Sequence, residues 1–488
     1  MVKVLKFPMS INPFSSAVEL IAQLCGGAYT ARDLLELQLA RIKAHNPGLN
    51  AVVTLHAERA RTRADELDAT RSAGRSVGAL HGLCATIKDS FETAGLLTTC
   101  GAPQWKKHIP AANADAVGRL LDAGMVVSGK SNVPIYAGDI QSYNLLFGAT
   151  GNPWNLSRTS GGSSGGAAAA VAAGLSSFEL GSDIGGSIRI PAHFCGVYGH
   201  KPSYGLVPLR GHIPPPPGSL SVSDLGVAGP IARSAPDLGL LLDVLADSGP
   251  GGAMKLPDAR ALRLADFRVG AWIDDEDFPI DDEVRATLEN VLAALQKQGV
   301  RIDRKARPLA SLAQNFDDYL RLLWPATTAH LNEKAFARVQ EAGRASQAGS
   351  VRRRLAEYSG ASHRDWLRMD EKRERVRAQW KDFFGRFDVL LCPVAPVCAF
   401  PHDHSDDLMD RSVTINGGRR WYWEQLGWIS LATFAFLPAT SAPVGRSSSG
   451  LPVGIQIIGP CREDRTCIEF AKLLADVVPG FEPPPLFR

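Results

Sequence analysis

No stretch of this 488-residue chain stays apolar over the roughly 20 residues that a membrane-crossing helix needs, so no contact with a membrane is expected. An excess of one charge is also lacking. Lys and Arg number 53 against 50 Asp and Glu, a formal net charge of +3, which gives no reason to expect a nucleic-acid partner or a strongly acidic substrate. Cysteine is sparse: Cys25, Cys84, Cys100, Cys195, Cys392, Cys398, Cys461 and Cys467 form no Cys-x-x-Cys pair. A disulfide framework or thiolate zinc site is therefore not indicated, and the thiols read as reduced core residues of a cytosolic protein. Lys3 and Lys6 are basic, but Pro8, Asn12 and Pro13 interrupt the start before an apolar segment can build up. No secretory signal is expected, and the location reads as cytoplasmic. Internal repeats and heptad arrays are missing too.

What the chain has is bulk and glycine. With 45% hydrophobic residues and 47 glycines it can bury a large core. Ala17 to Cys25, Thr30 to His45 and Ala57 to Arg75 read as helices, the second opened by the capping hydroxyl of Thr30 and the first-turn acid Asp33. From Gly78 to about Leu245 short apolar runs alternate with helical patterns, among them Val117 to Ala123 before the strand Met125 to Gly129. Phe267 to Asp274 reads as a strand, Glu283 to Gln298 and Leu309 to Trp324 as helices, and Val389 to Leu391 and Gly454 to Ile458 return the chain to a sheet. Arg352 to Lys381 interleaves its basic residues with Glu357, Asp365, Asp370, Glu371 and Glu374, as solvated helices do. The alternation implies an α/β fold with a large mixed sheet covered by helices on both faces. The organisation expected is an N-terminal helical segment over 1–75 packed on a catalytic domain over 76–488, with 310–387 a mostly helical insertion on the substrate side.

Three motifs carry chemistry. Ser187 closes Gly181-Ser182-Asp183-Ile184-Gly185-Gly186-Ser187, which sets a hydroxyl after two glycines and among backbone N–H groups that no bulky side chain covers. A carbonyl can come close there while successive N–H groups hold a developing oxyanion, as acyl transfer needs. Upstream, Gly161-Gly162-Ser163-Ser164-Gly165-Gly166 opens the run Ala167 to Gly174, which reads as a buried helix capped by its own serines. Glycine–serine runs also serve as linkers, but linkers are not followed by an Ala-rich helix or by the strand-like Ile188-Arg189-Ile190-Pro191. Gly82 to Ile87 reads as an interior strand ending on Lys88. A serine hydroxyl needs a base, no histidine stands in an obvious position for Ser187, and a lysine can serve only when burial keeps it neutral. Asp89 follows Lys88 directly, but successive strand side chains face opposite ways, so it need not restore the charge.

Together these segments resemble the amidase signature family, serine hydrolases of amides with a Ser-cisSer-Lys triad. The resemblance is carried by Ala85 to Phe91, Gly161 to Gly166 and Gly181 to Pro191 with Cys195 to Pro202, and it continues in Asp388 to Pro393 and Leu451 to Pro460. It implies Ser187 as nucleophile, Ser163 as bridging serine behind a cis Gly162–Ser163 bond, and Lys88 as base. It further implies that Ile184, Gly185, Gly186 and Ser187 supply the oxyanion N–H groups, with no cofactor and no metal. Asp183, Arg189 and Ser164 read as structural support. In similar enzymes the stretch corresponding to Pro134 to Asn144 borders the acyl pocket, which singles out Tyr136, Ala137, Gly138, Asp139 and Gln141. Phe316, Tyr319, Trp324, Trp421 and Trp423 are candidates for an apolar channel.

The substrate expected is a hydrophobic or aryl amide, extending to carbamates and esters, met with water alone by a monomer or homodimer. The first alternative is the glutaminase subunit of a tRNA-dependent amidotransferase, a branch that follows its nucleophile with Ile-Arg-Gln-Pro where this chain has Ile188-Arg189-Ile190-Pro191. A catalytically inactive binding protein is the second. Gly161-x-Ser163-x-Gly165 also matches a nucleophile elbow, but Asn152 to Ser160 before it reads as a turn-rich loop where that motif requires a strand. An elbow enzyme would also want a histidine, for which His330, His363, His402 and His404 are available in number only; His402 and His404, beside Asp406 and Asp407, read as a polar loop rather than a metal site.

Overall fold

The computed structural model describes residues 11–75, 78–246, 256–405 and 407–488; Lys3, Lys6, Pro8 and Asp406 lie outside the described residues. The first described helices are Ala17–Gly26 and Ala31–Leu49, each opened by a reciprocal capping box, Ser16 with Glu19 and Thr30 with Asp33. The second helix runs through Pro47 to Leu49 rather than ending at His45, and stops at Asn50, whose φ is 55°. Helix Ala57–Ser72 follows a short strand, Val52–Leu55.

Two sheets position the site. In the smaller, Val126–Ser131 pairs antiparallel with Val52–Leu55 and parallel with Cys84–Lys88. The larger has eight strands, in the order 301–303, 268–271, 389–393, 452–458, 439–446, 198–201, 227–232 and 179–183. Strand 268–271 runs parallel to both its neighbours, and the remaining pairs are antiparallel. Helices cover both faces of this mixed sheet, as the alternating pattern implied. Helices Leu312–Thr328, Glu333–Ala345, Val351–Ser359 and His363–Arg386 fill the charged stretch.

Three local expectations are corrected. Ile188 to Pro191 is not a strand: it enters the buried helix Arg189–Cys195, because Asp183 Oδ2 accepts from the Ile188 and Arg189 N–H groups at 3.1 and 3.4 Å and so satisfies the helix start. Pro191 sits in the first turn, where a missing N–H costs no hydrogen bond. Asn152 to Ser160 is not simply a loop: Gly151–Asn152 and Asn155–Thr159 form a hairpin, whose turn is closed by Trp154 N–H donating to Asn152 Oδ1 at 2.9 Å. The strand that the elbow motif wants is thus present, but it belongs to this separate hairpin and not to the main sheet. Helix Gly165–Ala172 is entirely buried as read, yet Ser164 at its N-cap makes no capping bond and donates instead to Ser182 O at 3.4 Å.

Arg189 ties the pieces together without any exposure to water. Its guanidinium donates to both Asp183 oxygens at 2.8 and 3.0 Å, to Ile429 O at 2.9 Å, to Gln456 Oε1 at 2.6 Å and to Thr433 Oγ1 at 2.7 Å. Burial alone raises the Asp183 carboxyl, but Arg189 outweighs it and the pKa ends below the ordinary value. Removing the cation strands a buried carboxylate, so Arg189→Met should cost about 3–5 kcal/mol. Urea unfolding followed by tryptophan fluorescence reads this as a lowered midpoint; an unchanged midpoint would show that the pair does not hold the fold.

Candidate active site

Lys88 ends the strand Cys84–Lys88 with no solvent exposure. Its Nζ lies 2.7 Å from Ser163 Oγ, 2.9 Å from Ser182 Oγ and 3.5 Å from Ser182 O. Burial lowers its pKa to about 7, against the opposing pull of Cys100, Asp183 and Glu179. Asp89 faces away, as strand alternation requires, and accepts from Thr99 N–H at 3.2 Å and from the Thr99 hydroxyl.

Ser163 follows a cis peptide bond from Gly162. A Cβ on Gly162 would stand 2.5 Å from Asp139 O and 2.6 Å from Gln141 N, so only glycine admits the approach of the 139–141 backbone. That contact fixes the loop carrying Ser163 against the wall of the neighbouring cavity.

Ser187 is 7% exposed and opens onto that cavity. Its carbonyl accepts from Ser164 N–H at 3.1 Å, and its hydroxyl meets no hydrogen-bond partner among the described residues. Around it the Asp183 carboxylate gathers the loop: Gly186, at φ 81°, donates its N–H to Asp183 Oδ1 at 3.0 Å. The Gly186 donor is thereby spent, whereas the N–H groups of Ile184, Gly185 and Ser187 meet no acceptor among the described residues. The four donors expected from sequence narrow to three.

The cavity measures about 220 Å³. Ala137, Gly138 and Asp139 line it, together with Ile140, Ile184 and Gly185. Tyr136 and Gln141 do not. Tyr136 turns out to the surface, where its ring meets Trp105 edge-on at 5.5 Å and its hydroxyl bonds Gln104. Gln141 is buried beside Asp403, donating to its carbonyl at 2.7 Å and accepting from its N–H at 3.0 Å. Of the aromatic candidates, Trp324 and Trp423 line the cavity, Tyr319 donates to Ile184 O at 2.8 Å, and Phe316 and Trp421 pack behind. The opposite wall is Leu320, Leu323, Trp324 and Thr327 of one helix, a spacing of three and four that was visible in the sequence as a helix face but carried no sign of what it faced. Asp139 is the one charged residue of the lining among the described residues, and its oxygens are engaged by Arg411 at 2.7 Å and by the Tyr422 hydroxyl at 2.7 Å. Sequence reasoning also passed over Ser182 and His212, which stand behind Lys88. Larger surface hollows around His56 and Arg59, and around Arg260 and Lys381, contain none of the predicted site residues.

Comparison with known proteins agrees on the family. A family model described as Amidase matches residues 33–468. A glutamyl-tRNA(Gln) amidotransferase subunit of Synechococcus sp. (strain CC9605) is 33% identical over 481 residues, covering 92% of this chain and 93% of that protein. A solved amidase has a TM-score of 0.78 at 30% identity, covering 95% of this chain and 100% of that one. A bacterial aryl acylamidase of the amidase signature family has a TM-score of 0.79 at 25% identity, with 96% of each chain covered. Further relatives at similar identity share the amidotransferase name. These names match the amidotransferase alternative better than the reading as a stand-alone amidase of hydrophobic amides. They also correct the partner expectation: relatives that are subunits of an enzyme named for a tRNA overturn the picture of a monomer or homodimer with no nucleic acid involved. The near balance of charge gave no signal of this.

The Gly162 contact yields a test. Gly162→Ala forces a methyl into the 139–141 backbone, which should destabilise the protein by about 1–3 kcal/mol and slow covalent labelling of Ser187 by a fluorophosphonate. Labelling at the parent rate would show that the two loops move independently.

Proposed function

This chain belongs to the amidase signature family, and from that premise we propose that it cleaves the C–N bond of an amide through an acyl-enzyme on Ser187. The observation that supports this most directly is the Nζ of fully buried Lys88 at 2.7 Å from Ser163 Oγ. A lysine with its pKa near 7 is substantially neutral at physiological pH and can take a proton. In this reading the Ser187 hydroxyl, unpartnered among the described residues, turns to Ser163 once a substrate is seated; Lys88 then draws the proton of Ser163 as Ser163 draws that of Ser187, and Ser187 Oγ attacks the carbonyl. The oxyanion rests on the N–H groups of Ile184, Gly185 and Ser187. Collapse needs a proton on the departing nitrogen, which the relay returns, and water then releases the acid by the same route reversed.

Two substrate readings have separate support. The names of the curated relatives favour a glutaminase subunit of a tRNA-dependent amidotransferase, which would bring further subunits and a tRNA-borne acceptor. The cavity favours an amide with an apolar or aryl group, as its wall is Leu320, Leu323, Trp324, Leu355 and Leu426 and its one carboxylate is already paired. An α-amino acid carried into it would find no free charge of either sign among the described residues of the lining. Cavity chemistry is the more direct evidence on what sits beside Ser187. The helices within 312–386 would then form the substrate-side part of the molecule.

Turnover of glutamine, a bulky anilide and an aryl carbamate by the purified chain separates the two. Cleavage of the anilide well above glutamine is expected; glutamine preferred over both would give first place to the amidotransferase. Narrowing the cavity by Gly138→Leu should alter the three rates unequally, and an equal fall in all three would place this loop outside the substrate path.

The relay has its own tests. Ser187→Ala should lower turnover by about 10⁴-fold or more and abolish labelling. Labelling that persists would place the nucleophile elsewhere. Because the neutral form of Lys88 is the base, the rate should rise through about pH 7 and level off above it. Lys88→Arg should be nearly as inactive as Lys88→Ala, since a guanidinium gives up no proton at accessible pH. High activity in the arginine variant would mean that position 88 acts as a fixed charge.

A further inference from the structure

Three oxygen atoms surround Lys88 Nζ, those of the Ser163 and Ser182 hydroxyls and of the Ser182 carbonyl, and the hydrogens between them can be traced. His212 Nδ1 lies 3.0 Å from Pro214 O, a carbonyl that only accepts. Nδ1 therefore carries the hydrogen, and in the neutral ring Nε2 is left with a lone pair. Nε2 lies 2.8 Å from Ser182 Oγ, whose single hydrogen it accepts. With that hydrogen turned away, Ser182 Oγ presents only lone pairs to Lys88, 2.9 Å off, and so takes one N–H of the neutral amine. Ser182 O, at 3.5 Å, takes the other. The remaining lone pair of Nζ is left facing Ser163 Oγ.

We propose that His212 is a positioning residue that acts through Ser182 to aim the Lys88 lone pair at the Ser163 hydroxyl. The inference rests on Lys88 serving as the base. It adds a fourth and fifth member behind the triad, neither of which lines the cavity. The same arrangement accommodates the product of proton transfer, since an ammonium at position 88 has three hydrogens and finds three acceptors in Ser163 Oγ, Ser182 Oγ and Ser182 O without any of them moving. A ring that itself protonated would break the chain, because Nε2 would then donate. Part of the His212 residue reaches solvent, but both ring nitrogens are held by protein groups; burial, then the neighbouring Lys88, push its pKa down to about 3. The charged and titratable groups around the amine are Asp183, Glu179 and Cys100 besides His212 itself.

The backbone holds the imidazole in this pose. His212 bridges to Phe91, whose ring meets the imidazole edge-on at 4.9 Å, and the next residue, Ile213, donates its N–H to Ser90 O at 2.7 Å. Ser90 and Phe91 directly follow the Lys88-Asp89 pair, so the segment that carries His212 is anchored to the strand end that carries the base.

The test compares the rate of Ser187 labelling by a fluorophosphonate, and of anilide turnover, in five variants. His212→Phe keeps a ring but no acceptor, freeing the Ser182 hydrogen to occupy the Lys88 lone pair; the rate should fall about 10–100-fold, a part of what a general base contributes, with KM little changed. His212→Gln, which can place an oxygen near the Nε2 position, should restore most of it. In a Ser182→Ala background His212→Phe should have no further effect, an interaction that loosened packing would not produce. Should His212→Phe fail to fold by circular dichroism, Ser182→Thr against Ser182→Ala carries the same question: threonine keeps the hydroxyl and the rate, alanine loses it. A fully active His212→Phe, a penalty that persists undiminished without the Ser182 hydroxyl, or equal rates in Ser182→Thr and Ser182→Ala would overturn the proposal. Lys88→Ala is run beside them: activity there removes the base itself, whereas an inactive Lys88→Ala beside an active His212→Phe removes only the role of His212.

Discussion

An amine sealed from water at the end of a strand is the constraint around which this structure is arranged. Burying a charged ammonium is so unfavourable that the group either finds acceptors for all its hydrogens or gives one up. Three lysines are buried among the described residues, and they are treated differently. Lys201 Nζ donates to two carbonyls, Pro202 O at 3.0 Å and Leu437 O at 2.8 Å, and Lys130 donates to Phe91 O and to Thr93 Oγ1, whose own hydrogen goes to Phe91 O. Carbonyls can only accept, and the Thr93 hydroxyl, its hydrogen given to Phe91 O, accepts as well, which holds both lysines as donors, although burial lowers each pKa to about 8. Lys88 alone of the three faces the hydroxyl of Ser163, a group that can donate as well as accept. The identity of the partner, more than the depth of burial, separates a lysine that can exchange a proton from two that brace the core.

The nucleophile loop is organised by the opposite charge. Asp183 takes two backbone N–H groups at the start of helix Arg189–Cys195 and one from Gly186, while Arg189 neutralises it and reaches the 427–434 helix and the 452–458 strand. One carboxylate thus shapes a turn, starts a helix and orients the donors around Ser187. The pair is wholly inside, so it contributes geometry at a desolvation cost, and its justification lies in the turn it forms.

Much of this was legible in the sequence, and the gaps have physical causes. Periodicity and capping residues located the N-terminal helices, the 282–297 helix and strands 84–88, 126–131, 268–271, 389–393 and 452–458, because those signals are local. The glycine–serine runs and Lys88 marked the site because glycine and a strand-end lysine are costly without a reason. Ile188 to Pro191 misled as a strand because β-branched residues speak for extended chain, whereas the carboxylate that nucleates the helix there, Asp183, ends the preceding strand and acts through space. Tyr136 and Gln141 were grouped with Ala137 to Asp139 by adjacency alone, and adjacency does not say which way a side chain turns in an irregular loop. His212 and Ser182 escaped notice because their pairing joins positions that no spacing rule connects. The partner expectation failed for a different reason: net charge reports on a broad electrostatic field and is silent about assembly with particular subunits.

Ser163 and the cavity wall are joined by the bare backbone of Gly162, which leaves no slack between the 139–141 loop and the proton relay. A lineage exploring new substrates would therefore meet unequal resistance on the two sides of the cavity. Changes in the loop disturb chemistry along with shape and would be removed by selection in most backgrounds. The helix 312–328 presents Leu320, Leu323, Trp324 and Thr327 from the far side, with none of these four hydrogen-bonding the relay through its side chain among the described residues. Diversification of substrate range should accordingly accumulate on that helix, while the loop beside Gly162 drifts slowly.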